Sequence, residues 1–123
     1  MIIKDPNSSK YIEIIKIKSE EDFIVKVSDE KLTCEANVYG YMSEQIVDFF
    51  KFIKTNWKGW EGDKIWGSLE GEFTLVATSD TAGHVELKFT LQRNLYDSWS
   101  LTSTINLEAS QLDLIYEEIS VIF

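Results

Sequence analysis

The sequence predicts an α+β fold. We expect an antiparallel sheet of about six strands, built as two three-stranded meanders that are each followed by a helix, with both helices packed on one face. Residues 84–93 and 98–107 alternate between apolar and polar side chains, as antiparallel strands with one solvated face do. Residues 44–57 repeat apolar side chains at helical spacing. At 123 residues the chain has the size of one domain, so 1–123 is expected to fold as a single unit.

The first meander is predicted from residues 11–18, 23–28 and 32–42, after a turn at residues 5–9 that contains the single proline. Polar residues at 19–22 and 29–31 turn the chain between these strands. The third strand has two candidate inward faces, and the sequence does not choose between them. One face carries Leu32, Cys34, Ala36, Val38 and Met42, and the other carries Tyr39 and Tyr41.

The first helix is predicted over residues 44–57, with Ser43 as its N-cap and Gly59 as its stop signal. Its apolar stripe consists of Ile46, Phe49, Phe50, Ile53 and Trp57. A stripe of this kind faces a core. We therefore expect Trp57 to be buried beneath the second meander.

The second meander is predicted from residues 68–79, 84–93 and 98–107, with turns at 79–83 and 94–97. In its first strand we expect Leu69 and Phe73 to point inward and Gly71 to mark a bulge. A second helix is predicted over 110–120, and the apolar residues 121–123 are expected to pack against the body. The two helices align from Gln45 with Gln111 to Ile53 with Ile119, but the preceding strands do not match in phase. The halves therefore repeat a layout without showing a duplication.

The stretch 57–69 holds three of the four tryptophans and three of the six glycines. Glycine permits sharp turns and tryptophan fills large apolar gaps, so we expect Trp60 and Trp66 to be at least half buried. The alternative is a platform, open on one side, for a sugar, a peptide or another flat apolar ligand. In that case the candidate ligand-binding or partner-binding residues are Trp60, Glu61, Asp63 and Trp66.

From the first helix onward, several short motifs occur together: Phe49-Phe50, Trp57-x-Gly59-Trp60-x-Gly62 followed by Trp66, Asp80-x-x-Gly83-His84-Val85, Trp99, and Leu107 followed by Gln111-Leu112. This pattern resembles one of the domain-of-unknown-function families of short bacterial proteins. The resemblance covers roughly the last two thirds of the chain and does not extend to residues 1–40. It implies a bacterial, stand-alone single domain, and it implies no activity.

The net charge is −9, and most of it lies in the second half. Residues 1–60 carry 9 basic and 10 acidic side chains, whereas residues 61–123 carry 3 and 11. Such a charge repels phosphate backbones and attracts basic proteins, so we expect no nucleic-acid partner and consider a basic protein partner. No apolar run approaches the roughly 20 residues of a membrane span, and the N-terminus lacks a secretory pattern. We therefore expect a cytoplasmic location and no membrane partner.

Few residues point to catalysis, and we predict no catalytic residue, metal or cofactor. His84 is expected on the wet face or in the turn, and no spacing supplies a group to orient it as a general base. Cys34 is expected to be a buried, inert thiol. One histidine and one cysteine do not make a usual zinc or iron site. Glu70 and Glu72, near aromatic residues, have the composition of a glycosidase pair, but a solvated strand face explains them.

Three classes of function remain open. The first is a protein-binding module, in particular an immunity-type inhibitor that neutralises a basic toxin. The second is a structural or oligomerising domain, such as a homodimer that uses an exposed apolar strip. The third is a binder of a small ligand or carbohydrate at the Trp57–Trp66 loop. Exposure of the tryptophan rings separates the third class from the others.

Overall fold

Two antiparallel four-stranded sheets, each followed by a helix, form the protein in the computed structural model, which describes residues 1–93 and 98–123. In chain order the elements are β1 (Ile2–Lys4), β2 (Tyr11–Ile15), β3 (Phe23–Asp29), β4 (Leu32–Val38), α1 (Gln45–Thr55), β5 (Lys64–Gly67), β6 (Phe73–Ser79), β7 (Val85–Gln92), β8 (Ser100–Leu107) and α2 (Ala109–Ile122). The first sheet has the order β1-β2-β3-β4 and the second β5-β6-β7-β8. The turn predicted at 94–97 lies outside the described residues.

The α+β class and the antiparallel meanders are confirmed. The prediction of one sheet with about six strands was wrong in detail, because the structure has two sheets of four strands each. Each meander gains a strand at its start, since β1 pairs with β2 and β5 pairs with β6. Strand β1 has 3 residues and β5 has 4, which is too short for an alternating pattern to stand out. Strand β5 also lies within the tryptophan–glycine stretch, whose glycines indicated a loop.

Several strand boundaries differ from the predicted ones. Strand β2 ends at Ile15 rather than at residue 18, and β6 begins at Phe73 rather than at residue 68. Leu69, predicted to point inward, is therefore exposed in the turn before β6. Gly71 has a φ of +79° and lies in that same turn, so it does not form a bulge within a strand.

Strand β4 ends at Val38, four residues before the predicted end, and this resolves its two candidate faces. Val38 is buried, and Cys34 is partly buried on the same face. Leu32 and Met42, assigned to that face from the sequence, are both exposed. The second candidate face arose because Tyr39 and Tyr41 belong to the connection that follows the strand.

The buried faces of both sheets and of both helices meet in one hydrophobic core. The predicted inward residues of β7 are all buried: Val85, Leu87, Phe89 and Leu91. The stripe of α1 is confirmed at Ile46, Phe49, Phe50 and Ile53. Helix α1 packs against α2 and against β5, so it joins the two halves of the chain.

The start of α1 does not use the predicted cap. The N-cap residue is Glu44 rather than Ser43, and no side chain caps the helix. Instead, the main-chain N–H groups of Ile46 and Val47 donate to the carbonyl oxygens three residues earlier, both at 3.0 Å. Such tighter bonds satisfy N–H groups that a serine hydroxyl would otherwise bind.

Helix α2 begins with a capping box that the sequence analysis did not identify. The Glu108 side chain accepts a hydrogen bond from the Gln111 main-chain N–H, and the Gln111 side chain accepts one from the Glu108 N–H. At the other end, the Phe123 ring packs edge-on against Phe23, with 5.1 Å between the ring centroids. Within the described part of the chain, no helix combines the length and apolarity that crossing a membrane requires.

Side chains of the first half satisfy main-chain groups of the edge strand β8. The buried Asp5 carboxylate accepts a hydrogen bond from the Asn106 main-chain N–H at 2.9 Å. The Lys10 ammonium donates to the Thr104 carbonyl oxygen at 3.4 Å. These contacts hold the start of the chain against the last strand.

We expect Phe49→Ala to lower the free energy of unfolding by about 3–5 kcal/mol, because it removes a buried aromatic ring from the joint between the two halves. Urea unfolding of the wild type and the variant measures this difference. Val121→Ala, at an exposed position of α2, is the control and should change stability by less than about 0.5 kcal/mol. A loss below about 1 kcal/mol for Phe49→Ala would show that its ring does not support the core.

Candidate functional site

A cleft of about 470 Å³ lies between the edge strand β4 and the adjoining ends of β7 and β8. Its walls contain three glutamates, one arginine, two side-chain amides and one indole ring. The lining residues are Glu35, Ala36, Asn37, Glu70, Glu72, Gln92, Arg93 and Trp99. The cleft therefore combines an excess of negative charge with an aromatic wall, and it lies where the two sheets approach each other.

Glu72 fixes the geometry of this cleft. Its side chain is only 8% exposed, which corrects the expectation of a solvated strand face. One carboxylate oxygen accepts the Tyr39 main-chain N–H at 2.8 Å, and the other accepts the Ser68 hydroxyl at 2.9 Å. Because both oxygens are engaged, Glu72 ties the β5–β6 turn to the segment that follows β4.

The segment after β4 is held in place at Gly40 as well. The Gly40 main-chain N–H donates to the Asp22 carboxylate at 3.1 Å. A Cβ atom at Gly40 would lie 1.7 Å from the carbonyl oxygen of Glu21, so the backbone at this position leaves room only for glycine. Tyr39 and Gly40 are therefore both held by hydrogen bonds of their main-chain N–H groups.

Tyr39 and Tyr41 flank this fixed glycine and point their rings to the surface. Their side chains are 37% and 51% exposed, and their ring centroids lie 6.3 Å apart at an interplanar angle of 59°. Met42 follows with an exposed side chain and a φ of +61°, which is uncommon for a residue other than glycine. The result is an exposed group of large side chains on a constrained backbone.

Three acidic residues lie near Tyr39. Partial desolvation raises the pKa of the Tyr39 phenol, and the negative charges of Glu21, Glu70 and Asp22 raise it further. We call this region the Tyr39 surface, defined as Tyr39, Tyr41 and Met42 with Glu21, Asp22 and Glu70. Since Glu70 also lines the cleft, the Tyr39 surface and the cleft adjoin each other.

The residues that the sequence singled out in the tryptophan loop do not share one surface. Trp66 lies on β5, is only 6% exposed, and packs edge-on against Phe73 with 5.7 Å between centroids. Trp60 is partly buried against Phe52, at 5.5 Å between centroids. Both rings are thus buried to the degree expected. Glu61 and Asp63 are exposed, whereas the Trp66 ring belongs to the core.

The prediction that Trp57 is buried beneath the second meander is wrong, because its side chain is 48% exposed. Helix α1 ends at Thr55, and Asn56 leaves the helical conformation with a φ of −102° and a ψ of 34°. The periodic stripe therefore stops one turn before Trp57. The ring lies beside Gly83 of the β6–β7 turn and lines a groove of about 550 Å³ between the end of α1 and the start of α2.

His84 has an orienting partner that the sequence analysis did not find. Its Nδ1 lies 3.0 Å from the Asp80 carboxylate, whose other oxygen accepts the main-chain N–H groups of Ala82 and His84. These hydrogen bonds lower the pKa of Asp80. The spacing Asp80-x-x-Gly83-His84 in the sequence could have indicated this pairing of His84 with Asp80. Both side chains are well exposed, so the pair closes the β6–β7 turn at the surface.

Cys34 is partly buried, and burial raises the pKa of its thiol. A thiol with a raised pKa stays protonated at neutral pH and is a poor nucleophile. For metal binding, the residues that the structure describes contain no group of three or more histidine, cysteine or carboxylate side chains that could hold an ion.

Two comparisons with known proteins extend this description. The model of one protein family, described as "Family of unknown function (DUF6228)", matches residues 6–123. The match includes the first meander, where the sequence motifs alone indicated no resemblance. No curated protein matches the chain.

The burial of the tryptophan rings predicts a definite order of accessibility to acrylamide. In variants that each retain one tryptophan and carry phenylalanine at the other three positions, we expect Trp57 to be quenched most, Trp60 less and Trp66 least. Efficient quenching depends on contact with solvent, and Trp66 is the most buried of the three. If Trp66 were quenched as strongly as Trp57, strand β5 would not face the core.

The Asp80 turn predicts a pH dependence of stability. Because the pKa of Asp80 is lower in the folded chain, ionised Asp80 favours folding above its ordinary pKa, and this contribution is lost as the pH falls through the lowered value. We expect Asp80→Asn to be less stable than the wild type at about pH 6, and the difference to shrink toward about pH 3. Urea unfolding at several pH values measures it. A difference that is constant with pH would show that the charge of Asp80 does not contribute.

Proposed function

We propose that this chain, which belongs to the family of unknown function DUF6228, is a protein-binding module and that its partner is a basic protein. The Tyr39 surface carries the proposal, because it presents exposed aromatic side chains on a fixed backbone beside an acidic cleft. In its most specific form, the proposal is an immunity-type inhibitor that neutralises a basic toxin in the bacterial cytoplasm.

The composition of the Tyr39 surface supports protein binding. Tyrosine and methionine are enriched in interfaces, and tyrosine is frequent among the few residues that supply most of the binding energy. Tyr39 and Tyr41 each combine a large apolar ring with a hydroxyl group, so they can contact apolar and polar groups of a partner. Glu72 and Asp22 hold the main-chain N–H groups of Tyr39 and Gly40. Binding of a partner therefore does not have to order this part of the backbone.

The charge of the chain supports a basic partner. The net charge of −9 favours encounter with a positively charged protein over long distances, and the carboxylates around Tyr39 favour it at contact. The same charge disfavours nucleic acid, whose phosphate groups would be repelled. We therefore propose a protein partner and no nucleic-acid partner.

We propose no enzymatic role for the chain. Both oxygens of Glu72 accept hydrogen bonds from the protein, so this carboxylate is not placed to serve with Glu70 as a glycosidase pair. His84 and Asp80 are paired on an exposed turn, where their hydrogen bonds have a structural role in closing the hairpin.

A second candidate function is the binding of a small ligand or carbohydrate, and the exposed ring of Trp57 favours it. The groove beside Trp57 also contains Thr55, Ser110 and Asp113, which offer hydroxyl and carboxylate groups to a sugar. The candidate ligand platform is therefore at Trp57, at the start of the tryptophan loop, and not at Trp60 and Trp66 as the sequence suggested. Acrylamide quenching of Trp57 in the presence of sugars tests this candidate separately.

The immunity proposal predicts the behaviour of the gene directly upstream. We expect its product to be a basic protein that stops growth of a bacterial host, and co-expression of this chain to restore growth. The purified proteins should form a complex that weakens as salt is added, because salt screens the charges that attract the partner.

The matched variants are Tyr41→Ala and Ile65→Ala, which truncate exposed apolar side chains on different surfaces. We expect Tyr41→Ala to reduce rescue and Ile65→Ala to retain it. Fluorescence polarisation with labelled DNA and RNA at physiological salt is the control for nonspecific binding and should show none. An upstream product that is neither basic nor toxic would refute the immunity proposal, and salt-sensitive micromolar binding of nucleic acid would refute the choice of partner.

A further inference from the structure

We propose that the Tyr39 surface recognises arginine side chains, and that the partner docks there with an exposed arginine-bearing segment. The inference rests on the proposed function and specifies the chemistry by which the partner is recognised. It follows from three observations: the arrangement of the two tyrosine rings, the carboxylates around them, and the contacts that fix the backbone between them.

The two rings offer an aromatic contact suited to a guanidinium group. Their centroids are 6.3 Å apart and their planes are inclined by 59°, so the rings are tilted and do not stack on each other, and both are exposed. A guanidinium is planar and weakly hydrated, and it stacks on aromatic faces more readily than an ammonium group does. The tyrosine pair therefore favours arginine over lysine.

The carboxylates supply the complementary charge. Asp22 accepts the Gly40 main-chain N–H, the main chain of Glu21 lies against Gly40, and Glu70 lines the adjoining cleft. Their negative charges also raise the pKa of the Tyr39 phenol. Carboxylates bind the forked N–H groups of arginine through paired, charge-assisted hydrogen bonds. Beyond Glu70, the cleft contains Glu35 and Glu72 and provides the Trp99 ring as an aromatic wall. It also contains Arg93, but its three carboxylates outnumber this one cation, so an extended basic segment still meets an excess of negative charge there.

The backbone of the surface is fixed before a partner binds. The main-chain N–H groups of Tyr39 and Gly40 are both held by carboxylates, at 2.8 Å and 3.1 Å. The carbonyl oxygen of Glu21 closes the space beside Gly40. A partner therefore meets the rings on a backbone already held in place, and little conformational entropy is lost on binding.

The outer face of α2 is a second acidic surface to which a basic segment could bind, so it provides a test of the inference. It exposes Asp113 and Glu117 beside Leu114 and Val121. Net charge alone would let a basic segment bind at either surface. The Tyr39 surface differs in its pair of exposed aromatic rings, so arginine recognition predicts binding at one surface and simple charge attraction predicts both.

The probe is a synthetic peptide of alternating glycine and arginine, compared with the same peptide carrying lysine or neutral citrulline. Amide and side-chain NMR shifts of the labelled protein are followed at low and at physiological salt. We expect the largest shifts at residues 39–42 and at the Trp99 indole, and an affinity order of arginine, lysine, citrulline. Tyr39→Ala and Tyr41→Ala should each weaken binding of the arginine peptide about fivefold to tenfold.

Tyr41→Leu separates the loss of the ring from the loss of apolar area, and should weaken binding nearly as much as Tyr41→Ala. Ile65→Ala and Leu114→Ala are the controls, and should bind the arginine peptide like the wild type. Unfolding curves of all variants verify that they remain folded, as the exposure of these side chains leads us to expect.

The inference is overturned if the shifts centre on the outer face of α2, if citrulline binds as well as arginine, if the tyrosine variants bind like the wild type, or if no peptide binds at low salt. Each of these results leaves the proposed function to be decided by growth rescue, which uses the upstream gene product and no peptide. Conversely, arginine recognition without growth rescue would retain the docking surface and reject the immunity role.

Discussion

The placement of the two sheets depends on carboxylates that cross from one half of the chain to main-chain groups of the other. An open sheet presents unpaired N–H groups along its edges, and a buried N–H group without an acceptor is costly. Here Asp5 accepts from Asn106 on the edge strand β8, and Glu72 accepts from Tyr39 at the end of β4. Both carboxylates are buried, and each would be costly without these donors. The Glu72 contact also shapes the cleft and holds Tyr39 beside it.

The two halves repeat an arrangement of four strands and a helix, and the structure shows why the sequence revealed only the helices of this repeat. The inward residues correspond in order: Phe23, Val25 and Val27 of β3 occupy the same places in the meander as Val85, Leu87 and Phe89 of β7. The connections between strands differ in length from one half to the other. A single shift along the sequence that aligns α1 with α2 therefore misplaces the strands: it sets Phe23 opposite Phe89, four residues beyond Val85.

The strictly alternating strands β7 and β8 and the apolar stripe of α1 could be predicted, because each pattern spans enough residues to exclude other structures. The short strands β1 and β5 could not, and the exposure of Trp57 followed from the end of α1 at Thr55, which periodicity does not determine. The candidate site was harder still. Tyr39 and Tyr41 were assigned to a strand, and Glu72 was assigned to its solvated face. Their roles depend on contacts between residues 33 positions apart, and no local pattern encodes such contacts.

Gly40 separates the requirements of the fold from those of the proposed recognition. The space beside its Cα is filled by the carbonyl oxygen of Glu21, so a change at this position must move the main chain. Its neighbours are different, because Tyr39 is held through its main-chain N–H and the side chains of both Tyr39 and Tyr41 are exposed. Substitutions at positions 39 and 41 would thus alter the exposed surface without altering the backbone that presents it. In the docking role that we propose for this surface, a lineage of such proteins would be able to follow a changing partner through these two side chains while the rest of the chain stayed the same.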